Sequence, residues 1–342
     1  MREVIADALA AKVALTLSVL KSNPARRLYE RLGFRIESES GHAYQMRWLQ
    51  PTEQPMQLNA IFPTRDIGND PAKIRDWAQA AEDLGYSHIE VPDHVFGAAA
   101  RGDWTPTYNE NDPFHETFVM LGFLAAVTKK IRLSSGILIA PQRQTGLIAK
   151  QAAEVDLLSG GRLRLGIGVG WNHVEYEALG SEWHTRGARQ AEQIEVLRRL
   201  WTGELVTYKG RFHDVKAVNI MPPPVQRPIP IWLGGSSDAV VKRAARLGDG
   251  WMPIIAPDAQ AEQKLDLLRS ELKKHGRDAN TFGLEAWLRM SDPDPQQWAA
   301  AAASWRKLGA QYVMLYPMFR RQKFDDQIEL LRTFKAVAGK TA

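Results

Sequence analysis

Cysteine is absent from all 342 residues. That excludes disulfides, thiolate nucleophiles and zinc–sulfur centres. Long apolar runs are absent too, and the longest present is too short to span a membrane. The first twenty residues are apolar, but Glu3, Asp7 and Lys12 interrupt any signal-peptide core and no clean cleavage site follows. A cytoplasmic protein is expected. No charge of one sign is concentrated anywhere: 44 Lys+Arg face 39 Asp+Glu, a net +5. Such a balance suits an anionic cofactor and a small-molecule substrate, and lacks the basic stripe of a nucleic-acid binder. His115, His173 and His184 are scattered, with no HExxH or histidine–carboxylate cluster, so no metal site is expected. What remains is 44% hydrophobic and 24% charged, the balance of a soluble globular chain.

The most informative stretch is residues 130–172, KIRLSSGILIAPQRQTGLIAKQAAEVDLLSGGRLRLGIGVGWN. Two β-branched runs, 131–140 and 163–169, flank a helical segment, 145–158. Leu147, Ile148, Ala152, Val155 and Leu158 fall on one helical face, and Ser159-Gly160-Gly161 ends it. Strand, crossover helix and strand make a parallel βαβ unit. The pattern repeats over the main body. Strand-like runs are 57–62, 88–91, 131–140, 163–169, 229–233, 251–254, 282–290 and 311–316. Helical patterns are 71–84, 113–128, 145–158, 188–200, 238–247, 261–275, 295–308 and 324–338. This eight-fold alternation predicts an α/β fold, a (β/α)8 barrel. A doubly wound open sheet is the competing architecture. One connection is over-long: residues 171–228, after the fourth strand, carry a helix and the proline-rich MPPPVQRP. Insertions of this length are usually functional.

Residues 1–50 have a different texture. A strand (12–20), a short helix and a strand pair (34–38, 43–49) make a small α+β fragment. Asn23 is a suitable N-cap with Pro24 at the first helical position. The run Asn23-Pro24-Ala25, Tyr29-Glu30, Gly33-Phe34 resembles the closing motif of GNAT-type N-acetyltransferases. In that family the asparagine contacts acetyl-CoA and the tyrosine protonates the leaving thiolate. The glycine-rich pyrophosphate loop expected upstream is missing, so the fragment reads as a non-catalytic remnant. Residues 51–55 form a polar, proline-flanked linker. Residues 56–342 form the barrel unit.

Candidate chemistry collects at the C-terminal ends of the strands, where barrels of this kind carry their sites. The second strand ends in IEVPDHVFG, placing Asp93 and His94 there. A histidine can move a proton near neutral pH and a neighbouring carboxylate can orient it. Equally, Asp93 can cap a loop and His94 can pack. Gly166, Gly168 and Gly170 end the fourth strand, and Gly234-Gly235-Ser236 precede a helix. Free N–H groups at a helix start, approached over glycine, suit phosphate. No acidic residue follows at Rossmann distance, which rejects a dinucleotide fingerprint. Trp171 and Trp251 can stack on a substrate or serve as core.

Five motifs converge: VPDHVF (91–96), IRLSSGILIAPQR (131–143), KQAAEVDLLSGGRLRLGIGVGWN (150–172), PIPIWLGGSS (228–237) and AARLGDGW (244–251). Together they resemble the luciferase-like monooxygenase superfamily, and more closely its oxidoreductases that use the deazaflavin coenzyme F-420. The resemblance covers roughly residues 56–338. It implies a TIM barrel with the ring at the C-terminal mouth. Asp93 and His94 match the pair facing the ring, with His94 the proton donor or charge stabiliser. Gly136-Ile137 matches a non-proline cis peptide behind the ring. Gly168, Val169 and Gly170 match a stretch lining the cofactor cleft, and Gly234 and Gly235 match the phosphate-contacting pair, followed by Ser236. Two departures stand out. Ala98 replaces a tryptophan of the sugar-phosphate dehydrogenases, and Trp171 replaces their glutamate. These argue against glucose 6-phosphate as substrate and against a proton relay through that carboxylate. The segment 171–189 is expected to fold over the substrate side.

The resulting expectation is an oxidoreductase passing hydride between coenzyme F-420 and a small organic substrate. The alternatives are an FMN-dependent monooxygenase, fed by a reductase, and an acetyl-CoA-binding protein acting through residues 1–50. A homodimer is expected by analogy with many relatives.

Overall fold

The computed structural model describes residues 13–48, 55–319 and 323–339, together with Val4, Ile5 and Ala8. The chain divides into two compact units, Met1–Met56 and Gln57–Ala342. Residues 51–54 of the expected linker lie outside the described residues.

In the first unit, strand β1 (Leu15–Leu20), helix α1 (Ala25–Arg31), and strands β2 (Phe34–Ser40) and β3 (Ala43–Trp48) follow one another. The sheet order is β1-β3-β2, antiparallel throughout. The helix starts one residue later than expected, yet the Asn23 side chain still accepts the Ala25 N–H at 2.9 Å. Val19, Phe34, Met46 and Trp48 form the core with Ile5. The buried end of Trp48 is satisfied by donation to the Leu32 carbonyl at 2.8 Å.

The second unit is the (β/α)8 barrel. Its strands are β4 (Gln57–Ile61), β5 (His88–Val91), β6 (Arg132–Ser135) continued by β7 (Leu138–Ile139), β8 (Leu163–Gly168), β11 (Ile231–Gly234), β12 (Gly250–Met252), β13 (Gly283–Met290) and β14 (Tyr312–Pro317). All are parallel, β14 pairs with β4, and β8 pairs with both β6 and β11, so the sheet closes on itself. Strands such as β5 and β8 are buried along their whole length, as a sheet covered by helices requires. The helices are α2 (Pro71–Asp83), α3 (Thr117–Val127), α4 (Thr145–Leu158), α5 (His173–Ala178), α6 (Arg186–Leu200), α7 (Asp238–Leu247), α8 (Ala259–Lys274), α9 (Pro295–Lys307) and α10 (Phe324–Ala338). Several start the same way. Asp70, Asp258 and Asp294 each accept an N–H of the following turn, with proline next in α2 and α9.

Two elements differ from the sequence expectation. Residues 131–140 are not one strand. The Gly136-Ile137 peptide is cis and separates β6 from β7, and a 3-10 turn at Ala140–Gln142 follows. The insertion after β8 holds two helices, α5 and α6, and an antiparallel hairpin, β9 (Val206–Lys209) and β10 (Asp214–Val218). Among the described residues no helix is long and apolar enough to cross a membrane.

Candidate active site

The mouth of the barrel is built on an apolar floor. Trp232, Met252, Trp287 and Met314 form a buried cluster, and Ile61, Ile137, Ile254 and Tyr316 pack on it. Trp287 and Tyr316 stack with ring centroids 5.5 Å apart and planes 7° from parallel. Ile137, carried by the cis peptide, is held from three sides by glycines. A side-chain carbon at Gly168 or Gly234 would lie 2.5 Å from Ile137 Cδ1, and one at Gly166 would lie 3.3 Å from its Cγ2. The room these glycines leave is therefore filled by Ile137. Only their backbones are left to meet a ligand. The Val169 carbonyl accepts the Tyr176 hydroxyl at 2.8 Å. Gly170 has φ +68°, a turn conformation that glycine favours.

His94 stands at the rim, with its side chain only 11% exposed. Its ring meets Phe114, Tyr108 and Trp171 edge-on, with centroids 4.7, 5.5 and 5.6 Å away. Nδ1 lies 3.1 Å from Glu175 Oε2. The other Glu175 oxygen accepts the N–H groups of Val95 and Phe96. Burial pushes the Glu175 carboxyl up. The His94 contact and the two backbone N–H groups outweigh it and hold the group below the usual glutamate range. The carboxylate is thus ionised and accepts the hydrogen on His94 Nδ1, which leaves Nε2 as the outer ring nitrogen.

Asp93 has another part. Its Oδ1 accepts from Arg143 Nη2 at 2.6 Å and from the Thr117 hydroxyl at 2.9 Å, and its Oδ2 accepts the Ile139 N–H at 2.8 Å. It locks β7 and the start of α3 to the end of β5. The expectation that it orients His94 is corrected: Glu175 does so. Position 171 offers no carboxylate, and the one that reaches His94 is Glu175, four residues later, on α5. Trp251 is fully buried and donates to the Gly235 carbonyl at 2.7 Å, so it is core and not a substrate contact. Trp171 is 37% exposed beside His94, and Ala98 is buried.

Gly235 has φ +123°, and the Ser236 hydroxyl accepts the Ile254 N–H at 3.1 Å. Ser237 caps α7, and Asp238 in its first turn pairs with Lys264. Among the described residues no group of His, Asp and Glu could hold a metal ion.

Beneath the floor lies a charged layer that sequence reading missed. Arg164 Nη2 donates to Glu90 at 3.0 Å and also to Glu285, and its guanidinium lies 4.3 Å from the Trp232 ring. Asn59 donates to Glu90 at 3.0 Å. Burial, and then the Glu285 carboxyl beside it, push Glu90 well above the usual range, so Glu90 keeps its proton. Glu90 also backs the bulge: a side-chain carbon at Gly136 would lie 2.9 Å from it.

With this geometry in place, comparison with known proteins is decisive about kinship. The sequence profile of the luciferase-like monooxygenase family matches residues 46–340. The chain belongs to that family. An uncharacterized protein of Mycobacterium tuberculosis is 40% identical over 182 residues, which is 51% of this chain and 62% of that one. The match thus spans less than two thirds of that relative. The F420-dependent glucose-6-phosphate dehydrogenase of Nakamurella multipartita is 30% identical over 212 residues, 60% of each chain. Among solved structures, the monooxygenase RslO1 from Streptomyces bottropensis superposes with a TM-score of 0.68 at 22% identity, covering 83% of this chain and 99% of that one. This last likeness speaks for the fold alone. The acetyltransferase resemblance of residues 1–50 gains no support from these comparisons.

Proposed function

We propose that the protein is an oxidoreductase that passes a hydride between the deazaflavin coenzyme F-420 and a small organic substrate bearing a hydroxyl or carbonyl group. The observation that carries this reading is the His94–Glu175 pair. It leaves one imidazole nitrogen free at the mouth of a barrel whose floor is flat and apolar. An F420-dependent relative at 30% identity supports the choice of cofactor.

The residues present fit such a ring. Ile137, Trp287 and Tyr316 offer stacking area. Trp287 Nε1 is buried without a hydrogen-bond partner, as are both side-chain polar atoms of Gln142, just after the bulge. Polar edges of a bound ring would satisfy such groups. When bound, the cofactor supplies a ring carbon that takes up or releases a hydride. The chain does the rest. In the oxidising direction His94 Nε2 takes the substrate's hydroxyl proton as hydride leaves the carbon bearing it. In the reducing direction it returns that proton to the carbonyl oxygen. Glu175 holds the ring tautomer and stabilises the imidazolium that forms. Phe114, Tyr108 and Trp171 exclude water around it.

An anaerobic screen of alcohols with oxidised F-420, followed by loss of its fluorescence, tests the reading. Turnover is expected with at least one substrate. His94→Ala is expected to lower kcat by about 10²–10⁴-fold. Turnover that needs molecular oxygen would overturn it.

A further inference from the structure

The chain between β5 and α3, residues 92–116, carries two of the rings around His94, those of Tyr108 and Phe114. It is fixed at several points. Arg65 Nε donates to Asp112 Oδ1 at 2.8 Å, and Asp112 Oδ2 accepts the Asn109 N–H at 3.0 Å. Thr64 Oγ1 accepts the His115 N–H at 3.2 Å. The Arg65 guanidinium also lies 5.1 Å from the centre of the Tyr108 ring. Gly97 lets the start of the loop pass close to its middle, since a side-chain carbon there would lie 2.7 Å from Glu110 Cα. Tyr108 is therefore a placed side chain, and its hydroxyl meets that of Tyr316 at the end of β14.

This contact leaves a hydrogen over. Two phenol hydroxyls carry two hydrogens, and the bond between them uses one. Among the described residues neither hydroxyl has another hydrogen-bond partner. Tyr316 belongs to the floor, stacked on Trp287. Burial, and then Tyr108 beside it, push its hydroxyl well above the usual tyrosine range, so it keeps its proton. Tyr108 belongs to the rim, with its ring centre 5.5 Å from that of His94. The spare hydroxyl hydrogen and His94 Nε2 thus sit on adjoining rings. A cavity of about 60 Å³ opens beside them, walled by Phe62, Trp77, Phe114, Leu315, Tyr316 and Leu331. An apolar cavity of about 150 Å³ takes benzene, so this one has room for a short alkyl arm.

We propose that the Tyr108 hydroxyl is a second contact to the substrate's oxygen, across from His94 Nε2, and that the substrate is an alcohol or ketone with a short alkyl arm in the cavity beside Phe114. Tyr316 is a positioning residue: it donates to the Tyr108 oxygen and so turns the Tyr108 hydrogen outward. In reduction a hydride forms the new C–H bond, the carbonyl π pair moves onto oxygen, and His94 Nε2 supplies the proton. Tyr108 donates a hydrogen bond to that oxygen as charge grows on it, and keeps its own proton. Oxidation runs the same steps in reverse. The redox part rests on the function proposed above. The oxygen site itself does not.

Two experiments on the full chain test this, each repeated with Tyr108→Phe and Tyr316→Phe. The first needs no cofactor: isopropyl methyl ketone is titrated and its binding read by ligand NMR. The wild type is expected to bind the ketone. Tyr108→Phe should bind it about tenfold more weakly, as one lost hydrogen bond allows, and Tyr316→Phe should lose less than about threefold. The second uses F-420 and the alcohols that the wild type turns over. Tyr108→Phe is expected to lower kcat about 10²-fold with F-420 affinity unchanged, and Tyr316→Phe to fall between that variant and the wild type. A pair that only tethers the loop gives another pattern, because each variant then removes the same hydrogen bond. Equal losses in the two variants in either experiment, or no loss in Tyr108→Phe, would overturn the proposal, as would a wild type that does not bind the ketone. If the ketone results hold and F-420 does not bind, the cofactor reading fails and the oxygen site survives it.

Discussion

His94 and Glu175 show how far single residues can be read. The place of His94 at the end of a barrel strand was legible from IEVPDHVFG, with packing as the equal alternative to chemistry. Glu175 was not, because it lies 81 residues away and reaches His94 only through the fold. One local sign existed. Asn172 accepts the Glu175 N–H at 3.2 Å, so an Asn-x-x-Glu pattern marked a helix start just after β8. Asp93 misled for the opposite reason: adjacency in sequence suggested a partnership, while its carboxylate was claimed by Arg143. Glu175→Gln keeps the shape and the Val95 and Phe96 contacts but removes the charge. It is expected to lower kcat by about 10–100-fold with little change in KM, since the loss falls on the transition state. The pH profile gives a second check. Glu175 has a lowered pKa, so its anchoring is present through neutral pH and is lost only as pH falls below the ordinary glutamate range. The acid limb of wild-type kcat should therefore not show a group titrating near the usual glutamate value.

At the scale of elements, alternation of apolar runs located the barrel strands to within a residue or two. It failed where a strand is interrupted from within. Residues 131–140 read IRLSSGILIA, with isoleucine at or next to each end of the run, and only the family resemblance pointed to the cis peptide at Gly136-Ile137. The hairpin of β9 and β10 was also missed, although VTYKGRFHDVKAV alternates around Gly210. The glycines of the fourth strand looked like a ligand cradle and serve first to admit Ile137. Gly168→Ala places a carbon against Ile137 Cδ1, and Gly234 blocks that atom's retreat. Urea unfolding is expected to show a loss of about 1–3 kcal/mol, the usual range for overpacking. Adding Ile137→Val, which deletes the offending methyl, should recover a large part of that loss. Simple addition of the two single effects would contradict the packing account.

For the whole molecule, the barrel was readable and its charged interior was not. Within HIEV, LRLGIG and GLEAWLRM the charges look like solvent-facing positions of half-buried strands. In a closed barrel that face is the interior, and Glu90, Arg164 and Glu285 meet there. This layer gives stability a definite pH dependence. Glu90 keeps its proton when folded and loses it when unfolded above about pH 4.3. Its contribution is thus full below that pH and is lost as pH rises toward the raised value. Glu90→Gln, which carries its hydrogens at every pH, should flatten the fall in urea midpoint as pH rises above about 4.3. The central claim for the whole molecule is that its mouth holds a deazaflavin. Parallel fluorescence titrations of the intact protein with F-420 and with FMN test it most directly. Micromolar or tighter binding of F-420, with FMN at least about tenfold weaker, is the expected result. Preference for FMN would contradict the account and move the protein to the oxygen-using branch of its family.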